Sequence, residues 1–397
     1  MTSNMIKEID SQSVIQTYGR FDLVIERGKG SVVYDFEGRE YVDFTSGIGV
    51  NSIGYADPDW AEAVSAQAGK LAHMSNHFYT QPGTMLAQKL CRMTGMSSVF
   101  FANSGAESNE GVIKLARKYS FDKYGKGRSN IITLNRSFHG RTLAALSATG
   151  QDSFHNYFYP FPEGFRYAKP NDLDSVKSLD DGTVCAVMLE AIQGEGGVLP
   201  LDDDFVLGVK RLCGEKDWLL IFDEVQTGVG RTGTLFAFQR YGFLPDAVSF
   251  AKGIGGGLPL GGFLVNEKCK NVLTAGTHAS TFGANPVCCA GALVVLDKLE
   301  KGVLEEVEAK GSYIRDKIEA MNSPYVAGTR GRGLMIGISI QNASPKDLAN
   351  KLTKAGLLVL TAGNDAIRLL PPLTITYEEI DKGLSIMEKI LAGEGVK

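Results

Sequence analysis

The chain has 397 residues, 44% of them apolar and 22% charged, with a formal net charge of −4. That length exceeds one ordinary domain and predicts one large unit with a smaller companion. Basic residues are scattered rather than clustered, which excludes a nucleic-acid footprint or a patch for anionic membranes, and no apolar run approaches the length needed to span a bilayer.

The first residues, Met1-Thr2-Ser3-Asn4-Met5-Ile6-Lys7-Glu8, lack both the apolar stretch of a signal peptide and the Arg-rich bias of a transit peptide, so a soluble cytoplasmic protein is expected. Ser31–Phe36 and Glu40–Phe44 flank the turn residues Glu37-Gly38-Arg39 and predict a hairpin. From about Asp57 to Leu296, short apolar runs alternate with helix-length segments. The predicted strands are Ser98–Ala102, Asn130–Leu134, Val184–Leu189, Leu219–Phe222, Ala247–Phe250 and Gly262–Val265. Continuously apolar strands separated by helices predict an α/β unit with a mostly parallel sheet covered on both faces.

Helices are then predicted over Pro286–Leu299 and Gly302–Met321, followed by a strand at Leu334–Ile340 and a helix at Pro345–Ala355. Short strands at Leu357–Leu360 and Ile367–Leu370 and a last helix over Tyr377–Ala392 complete a smaller α+β unit. The expected division is 1–56 and 297–397 for the small unit and 57–296 for the large one. The six cysteines form no C-x-x-C pair and read as small buried hydrophobes. The five histidines show no ligand spacing, so no metal site is expected.

Several strand ends carry chemistry. Asn103-Ser104-Gly105-Ala106-Glu107 is a strand–turn–helix junction whose free N–H groups and dipole would hold a phosphate. Ser104-x-x-Glu107 equally fits a capping box with no ligand. In Ser137-Phe138-His139-Gly140-Arg141-Thr142, Phe138 can stack on a flat heterocycle and Arg141 can fork a carboxylate. Glu195, in the loop Glu190–Gly197, needs an arginine partner if it is more than a solvated turn residue. Arg368, alone among apolar neighbours, needs a carboxylate.

Asp223 and Gln226 stand at the C-terminal end of an apolar run, where open α/β sheets bind ligands. Lys252 ends the next run, 29 residues later, ahead of a glycine-rich loop. A lysine amine that condenses with an aldehyde, and an aspartate that keeps a pyridine nitrogen protonated, are what a pyridoxal phosphate (PLP) enzyme requires. Ser280-Thr281-Phe282-Gly283-Ala284-Asn285-Pro286 could add a phosphate ligand or simply cap a helix. The glycines of Gly255–Gly262 raise a dinucleotide-binding oxidoreductase as the rival, but they lack the G-x-G-x-x-G spacing and a clear following helix.

In this order and spacing, Asn103–Glu107, Phe138–Thr142, Asp223–Gly228 and Ala251-Lys252-Gly253 resemble the class III PLP-dependent aminotransferases, and the likeness runs from Gly47 to Pro372. The resemblance implies a fold-type I architecture: a large cofactor domain, a small domain built from both chain ends, and a homodimer with active sites at the subunit interface. It implies that the Gly105 and Ala106 backbones, beside Ser104, hold the phosphate and that Phe138 stacks on the ring. Asp223 would bind the ring nitrogen, Gln226 the phenolic oxygen and Lys252 the aldehyde. Ser280 and Thr281 would reach across from the second subunit, Thr281 to the phosphate.

Within the class the likeness favours members whose donor is N2-acetylornithine. Its terminal amine would pass to 2-oxoglutarate, with Arg141 clamping the distant carboxylate and Glu195 alternately covering and freeing Arg368. Gly47, where ornithine-specific relatives carry a tyrosine, would leave room for an acyl group. The alternative is another terminal-amine donor: 4-aminobutyrate, ornithine, succinylornithine or an N-acetyl-diaminopimelate type. Gly54-Tyr55-Ala56-Asp57-Pro58 and Ala191 depart from the usual family pattern without touching the catalytic set.

Overall fold

A computed structural model describes residues 2–393 of the chain. The strands in chain order are β1 (Ile25–Lys29), β2 (Val32–Asp35), β3 (Glu40–Asp43), β4 (Ser98–Ala102), β5 (Asn130–Leu134), β6 (Phe165–Ala168) and β7 (Val184–Leu189). They continue with β8 (Ile192–Gln193), β9 (Leu199–Pro200), β10 (Leu219–Asp223), β11 (Ala247–Phe250), β12 (Gly261–Val265), β13 (Val326–Arg332) and β14 (Met335–Ile340). The last are β15 (Leu357–Leu358), β16 (Leu360–Ala362) and β17 (Ala366–Leu369).

The central sheet has the order β4-β12-β11-β10-β7-β5-β6. Every residue of β7, β10, β11 and β12 is buried, which is why these strands read as unbroken apolar runs. All neighbours run parallel except around β12, which is antiparallel to both β11 and β4. The connection from Ala251 to Leu260 is too short for a helical crossover, so the chain doubles back. Strand β6, an edge strand with only Ala168 fully buried, escapes the sequence pattern because Arg166 and Tyr167 break its apolar run.

The smaller unit joins the two chain ends. Strands β1, β2, β3 and β15 form one sheet, in which β15 pairs parallel to β3. Strands β13, β14, β17 and β16 form another. The apolar run expected as one strand at Leu357–Leu360 therefore serves two sheets, with the break at Val359. The helices expected on either side of residue 300 meet through a π-turn at Leu299–Val303, where Gly302 takes φ +125°. The next helix accordingly starts at Leu304 rather than Gly302. Helix starts follow their caps: Asp57 accepts from Trp60 N–H at 3.1 Å, ahead of Pro58–Lys70.

Between β3 and the first large helix lies a left-handed turn: Ser46, Gly47, Ile48 and Gly49 all take positive φ, Ile48 at +64°. A β-branched residue disfavours that conformation, so the surroundings must impose it. Buried Asp43 accepts from the N–H groups of Thr45 and Ser46 (2.7 and 2.9 Å), and Ser46 Oγ donates to Leu370 O at 2.6 Å.

Candidate active site

The carboxyl ends of the parallel strands converge on one cavity of about 460 Å³. It receives Asn103–Ala106 after β4, Phe138 after β5, Glu190 after β7, Asp223 from the end of β10 and Lys252 after β11. Parallel strands all deliver their ends to the same edge, so residues far apart in sequence meet without special loops.

At the cavity floor Asp223 is 3% exposed. Its Oδ2 accepts from Asn109 Nδ2 and pairs with His139 Nδ1, both at 2.7 Å, and Oδ1 accepts from Val225 N–H at 3.0 Å. Among the described residues no lysine or arginine forms an ion pair with it. A buried carboxylate without such a cation fits a site that expects a positively charged ring nitrogen. Asn109 and His139 were passed over in the sequence. The available signals were a polar residue on the buried face of Gly105–Tyr124, one turn after Gly105, and a histidine inside a motif read for its neighbours.

Lys252 follows β11 with φ +47° and borders the cavity. Burial pushes its amine below the ordinary lysine range; Glu195 opposes this and Arg368 adds to it. Glu190 is buried beside Phe138, whose N–H donates to its Oε2 at 3.1 Å. Desolvation, helped by the charge of Asp223, raises the Glu190 pKa well above the carboxylate range.

Ser104 is the N-cap of the helix Gly105–Tyr124 and accepts from Glu107 N–H at 3.2 Å, while Glu107 reaches back to Asn103 N–H at 2.7 Å. Ser104 therefore caps the helix, but the reciprocal box is not formed, because Glu107 reaches the Asn103 N–H rather than that of Ser104; Gly105 and Ala106, the first two residues of the helix, line the cavity. The fit around them is close: a Cβ on Gly105 would meet Val225 Cγ1 at 2.6 Å, and one on Gly140 would meet Ala106 Cβ at 3.0 Å. Arg141 sits exposed at the mouth, its guanidinium 4.2 Å from the Phe154 ring centroid.

Glu195 and Arg368 do meet. Arg368 Nη1 lies 2.6 Å from Glu195 Oε1, and Arg368 is only 2% exposed. Burial favours the neutral acid, but the Arg368 charge and hydrogen bond outweigh it and hold Glu195 below the usual range. Gln226 joins this pair: its Oε1 accepts from Arg368 Nη1 at 3.1 Å and its Nε2 donates to Glu195 Oε1 at 3.3 Å. A second cavity of about 490 Å³ opens beyond the pair and is lined by Ile48. The left-handed turn presents Ile48, 40% exposed, to this second cavity.

Ser280 and Thr281 do not enter their own chain's cavity. They line a separate surface depression with Glu107 and His278, and Ser280 Oγ accepts from Asn103 Nδ2 at 3.3 Å. No helix among the described residues is long and apolar enough to cross a membrane. Five of the six cysteines are buried and Cys91 is partly so.

Comparison with known proteins agrees with this geometry. The family described as "Aminotransferase class-III" matches residues 14–391. An acetylornithine aminotransferase of Haemophilus ducreyi is 50% identical over 394 residues, covering 99% of this chain and all of the relative. An ornithine aminotransferase of Toxoplasma gondii, solved with partial occupancy of PLP, superposes with a TM-score of 0.94 at 32% identity, covering 99% of this chain and 95% of that one. The acetylornithine aminotransferase of Elizabethkingia anophelis gives 0.88, also at 32% identity, with 99% and 100% covered.

Proposed function

Because the chain belongs to the class-III aminotransferases, a PLP-dependent family, we propose that it transfers the terminal amine of N2-acetylornithine to 2-oxoglutarate. The products are N-acetylglutamate 5-semialdehyde and glutamate, an arginine-biosynthetic step. The observation that carries this reading is the buried Glu195–Arg368 pair beside the Lys252–Asp223 cavity. A two-substrate transaminase must accept, at one place, a reacting carbon with an adjacent carboxylate and one without. A cation that can be covered or uncovered meets that need.

When bound, PLP supplies an aldehyde for the donor amine and a ring that takes up electrons. The N–H groups of Gly105 and Ala106, beside Ser104, would hold its phosphate, and Phe138 would lie against its ring. Asp223 would face the ring nitrogen and Gln226 the phenolic oxygen. Lys252, whose desolvation favours the neutral amine, would be the nucleophile toward the aldehyde and would then move the substrate proton. Arg141 at the mouth takes the carboxylate distant from the reacting carbon in each half-reaction. Glu195 neutralises Arg368 while the terminal amine reacts and gives way to the adjacent carboxylate of 2-oxoglutarate.

A second copy of the chain would contribute Ser280 and Thr281. Exposed Phe78, Tyr79 and Phe282 support a covered face here. Their loops are tied together by Asn76 Nδ2, which donates to Ser280 O and Gly283 O at 3.1 and 2.8 Å. We assign residues 57–296 to the large domain, 1–56 and 297–397 to the small one, and the dimer to the cytoplasm. The test is reductive trapping with borohydride in the presence of PLP, followed by a donor panel. An adduct on Lys252 and the highest kcat/KM for N2-acetylornithine are expected. No adduct on Lys252, or preference for ornithine or 4-aminobutyrate, overturns the cofactor or the donor assignment respectively.

A further inference from the structure

The two arginines assigned to substrate carboxylates are held in opposite ways. Arg368 is buried and bound to Glu195. Arg141 is exposed, and Glu110, the carboxylate that reaches its segment, accepts instead from Thr142 Oγ1 and Ala145 N–H at 2.5 and 3.2 Å. What holds Arg141 is aromatic: its guanidinium carbon lies 4.2 Å from the Phe154 ring centroid and 5.6 Å from that of Phe138. A ring face attracts the cation without offering an acceptor oxygen, so the N–H fork stays free for a carboxylate. Phe154 is itself fixed. It closes the 3₁₀ turn Asp152–Phe154, its N–H donating to Gln151 O at 3.0 Å. Gln151 Nε2 donates to Ser137 O at 2.9 Å and Gly150 N–H to Ser137 Oγ at 3.0 Å, which fastens the turn to the residue before Phe138. The next side chain, His155, packs against Phe161 and Tyr167 with centroids 5.3 and 5.9 Å away. The Phe154 ring does not itself border the cavity.

We propose that Phe154 is a positioning residue that determines specificity: its ring face holds the Arg141 guanidinium at the cavity mouth and thereby sets the preference for substrates with a carboxylate remote from the reacting carbon. This rests on the role given to Arg141 in the functional reading above and deepens it. An unanchored arginine on an exposed segment samples many rotamers, and ordering it at each binding event weakens its grip on a carboxylate. The stack removes that disorder beforehand and leaves the donors available, which an ion pair would not. Phe154 also meets Phe138 edge-on, with centroids 5.9 Å apart and ring planes at 69°. Phe138 is the residue assigned to the cofactor ring, so one aromatic side chain fixes the cation relative to the cofactor plane. For a partly exposed cation–π contact the effect on the remote carboxylate is about fivefold.

The experiment compares two acceptors for the PLP-loaded enzyme with N2-acetylornithine as donor: 2-oxoglutarate, and pyruvate, which keeps the carboxylate beside the ketone and lacks the remote one. The quantity read is the ratio of their kcat/KM values, in which a general loss of folded or loaded enzyme cancels. Phe154→Leu, apolar but without a π face, lowers the ratio about fivefold, and Phe154→Tyr keeps it within about twofold of the unaltered protein. Arg141→Gln lowers it at least as far, and in that background Phe154→Leu lowers it no more, because the ring has no cation to hold. Should Phe154→Leu fail to fold, Phe154→Met carries the same measurement. With Arg141→Gln low, an unchanged ratio in Phe154→Leu, an equal loss in Phe154→Tyr, or a loss that persists in the Arg141→Gln background overturns the role of Phe154 alone. If Arg141→Gln leaves the ratio unchanged, the assignment of the remote carboxylate to Arg141 falls, and the role of Phe154 with it.

Discussion

Replacing Glu195 by alanine should change which amine the enzyme accepts. In the folded protein Glu195 Oε1 lies 2.6 Å from Arg368 Nη1 and the arginine is 2% exposed. Charge centres about 4 Å apart at an effective dielectric of about 20 attract by about 4 kcal/mol. A substrate carboxylate that takes Arg368 must first displace this partner, and roughly half of the attraction is offset by rehydration of the freed glutamate. Its removal therefore favours carboxylates next to the reacting carbon by about 2 kcal/mol, a factor of about 30 in relative kcat/KM. The assay compares glutamate with N2-acetylornithine as donors, in the unaltered protein and in Glu195→Ala. A ratio that shifts by tens of fold toward glutamate is expected. An unchanged ratio would refute the reasoning, because it would mean that Glu195 does not compete for Arg368 during turnover.

Three further outcomes follow from the same geometry. Gly105→Ala puts a methyl group 2.6 Å from Val225 Cγ1, an overpacking that costs about 1–3 kcal/mol. If the phosphate lies there, the PLP dissociation constant, followed by absorbance, rises about tenfold; unchanged affinity would separate the glycine from the phosphate. Arg231 is 2% exposed, forms no ion pair among the described residues, and donates only to the carbonyls of Leu334 (3.2 Å) and Pro371. Arg231→Met strands both carbonyls and lowers stability by about 2–3 kcal/mol in denaturant titration. A variant as stable as the parent would show that burying the cation cancels its hydrogen bonds. Lys252 has a depressed folded-state pKa, so the fold binds fewer protons there than the unfolded chain and this site gains stability as pH rises toward 10.5. Cofactor-free Lys252→Met is therefore more stable than the cofactor-free parent at pH 7, by a margin that shrinks as pH rises toward 10.5 in urea titrations. A margin independent of pH would contradict the desolvated-amine account.

Strands β5, β7 and β11 were legible because they are buried on both faces, and the half-buried edge strand β4 because its run Val99-Phe100-Phe101-Ala102 is unbroken; all four begin and end at the residues their apolar runs predict. Strand direction was less legible, since the reversal at β12 depends on a short connection and not on composition. Strands β13 and β6 stayed hidden because they are mostly half-exposed and rich in Gly, Arg or Tyr. In the site, Lys252, Asp223 and the Glu195–Arg368 pair announced themselves by placing charge against apolar neighbours. Asn109, His139 and Glu190 did not, because each serves another residue's carboxylate or backbone and that partner is distant in sequence. The direction of Ile48 could not be read either: it depends on a left-handed turn held from outside by Asp43 and Leu370.

The pairing of β15 with β3 has a consequence for biosynthesis. Val42 N–H donates to Gly356 O and Phe44 N–H to Leu358 O, both bonds spanning more than three hundred residues. While the ribosome is still extending the chain, this edge of β3 has no partner. The amino-terminal hairpin must wait, open-edged, until the last hundred residues emerge. The nascent polypeptide thus carries a strand-pairing hazard for most of translation, and the order of synthesis makes closure of this sheet a late event.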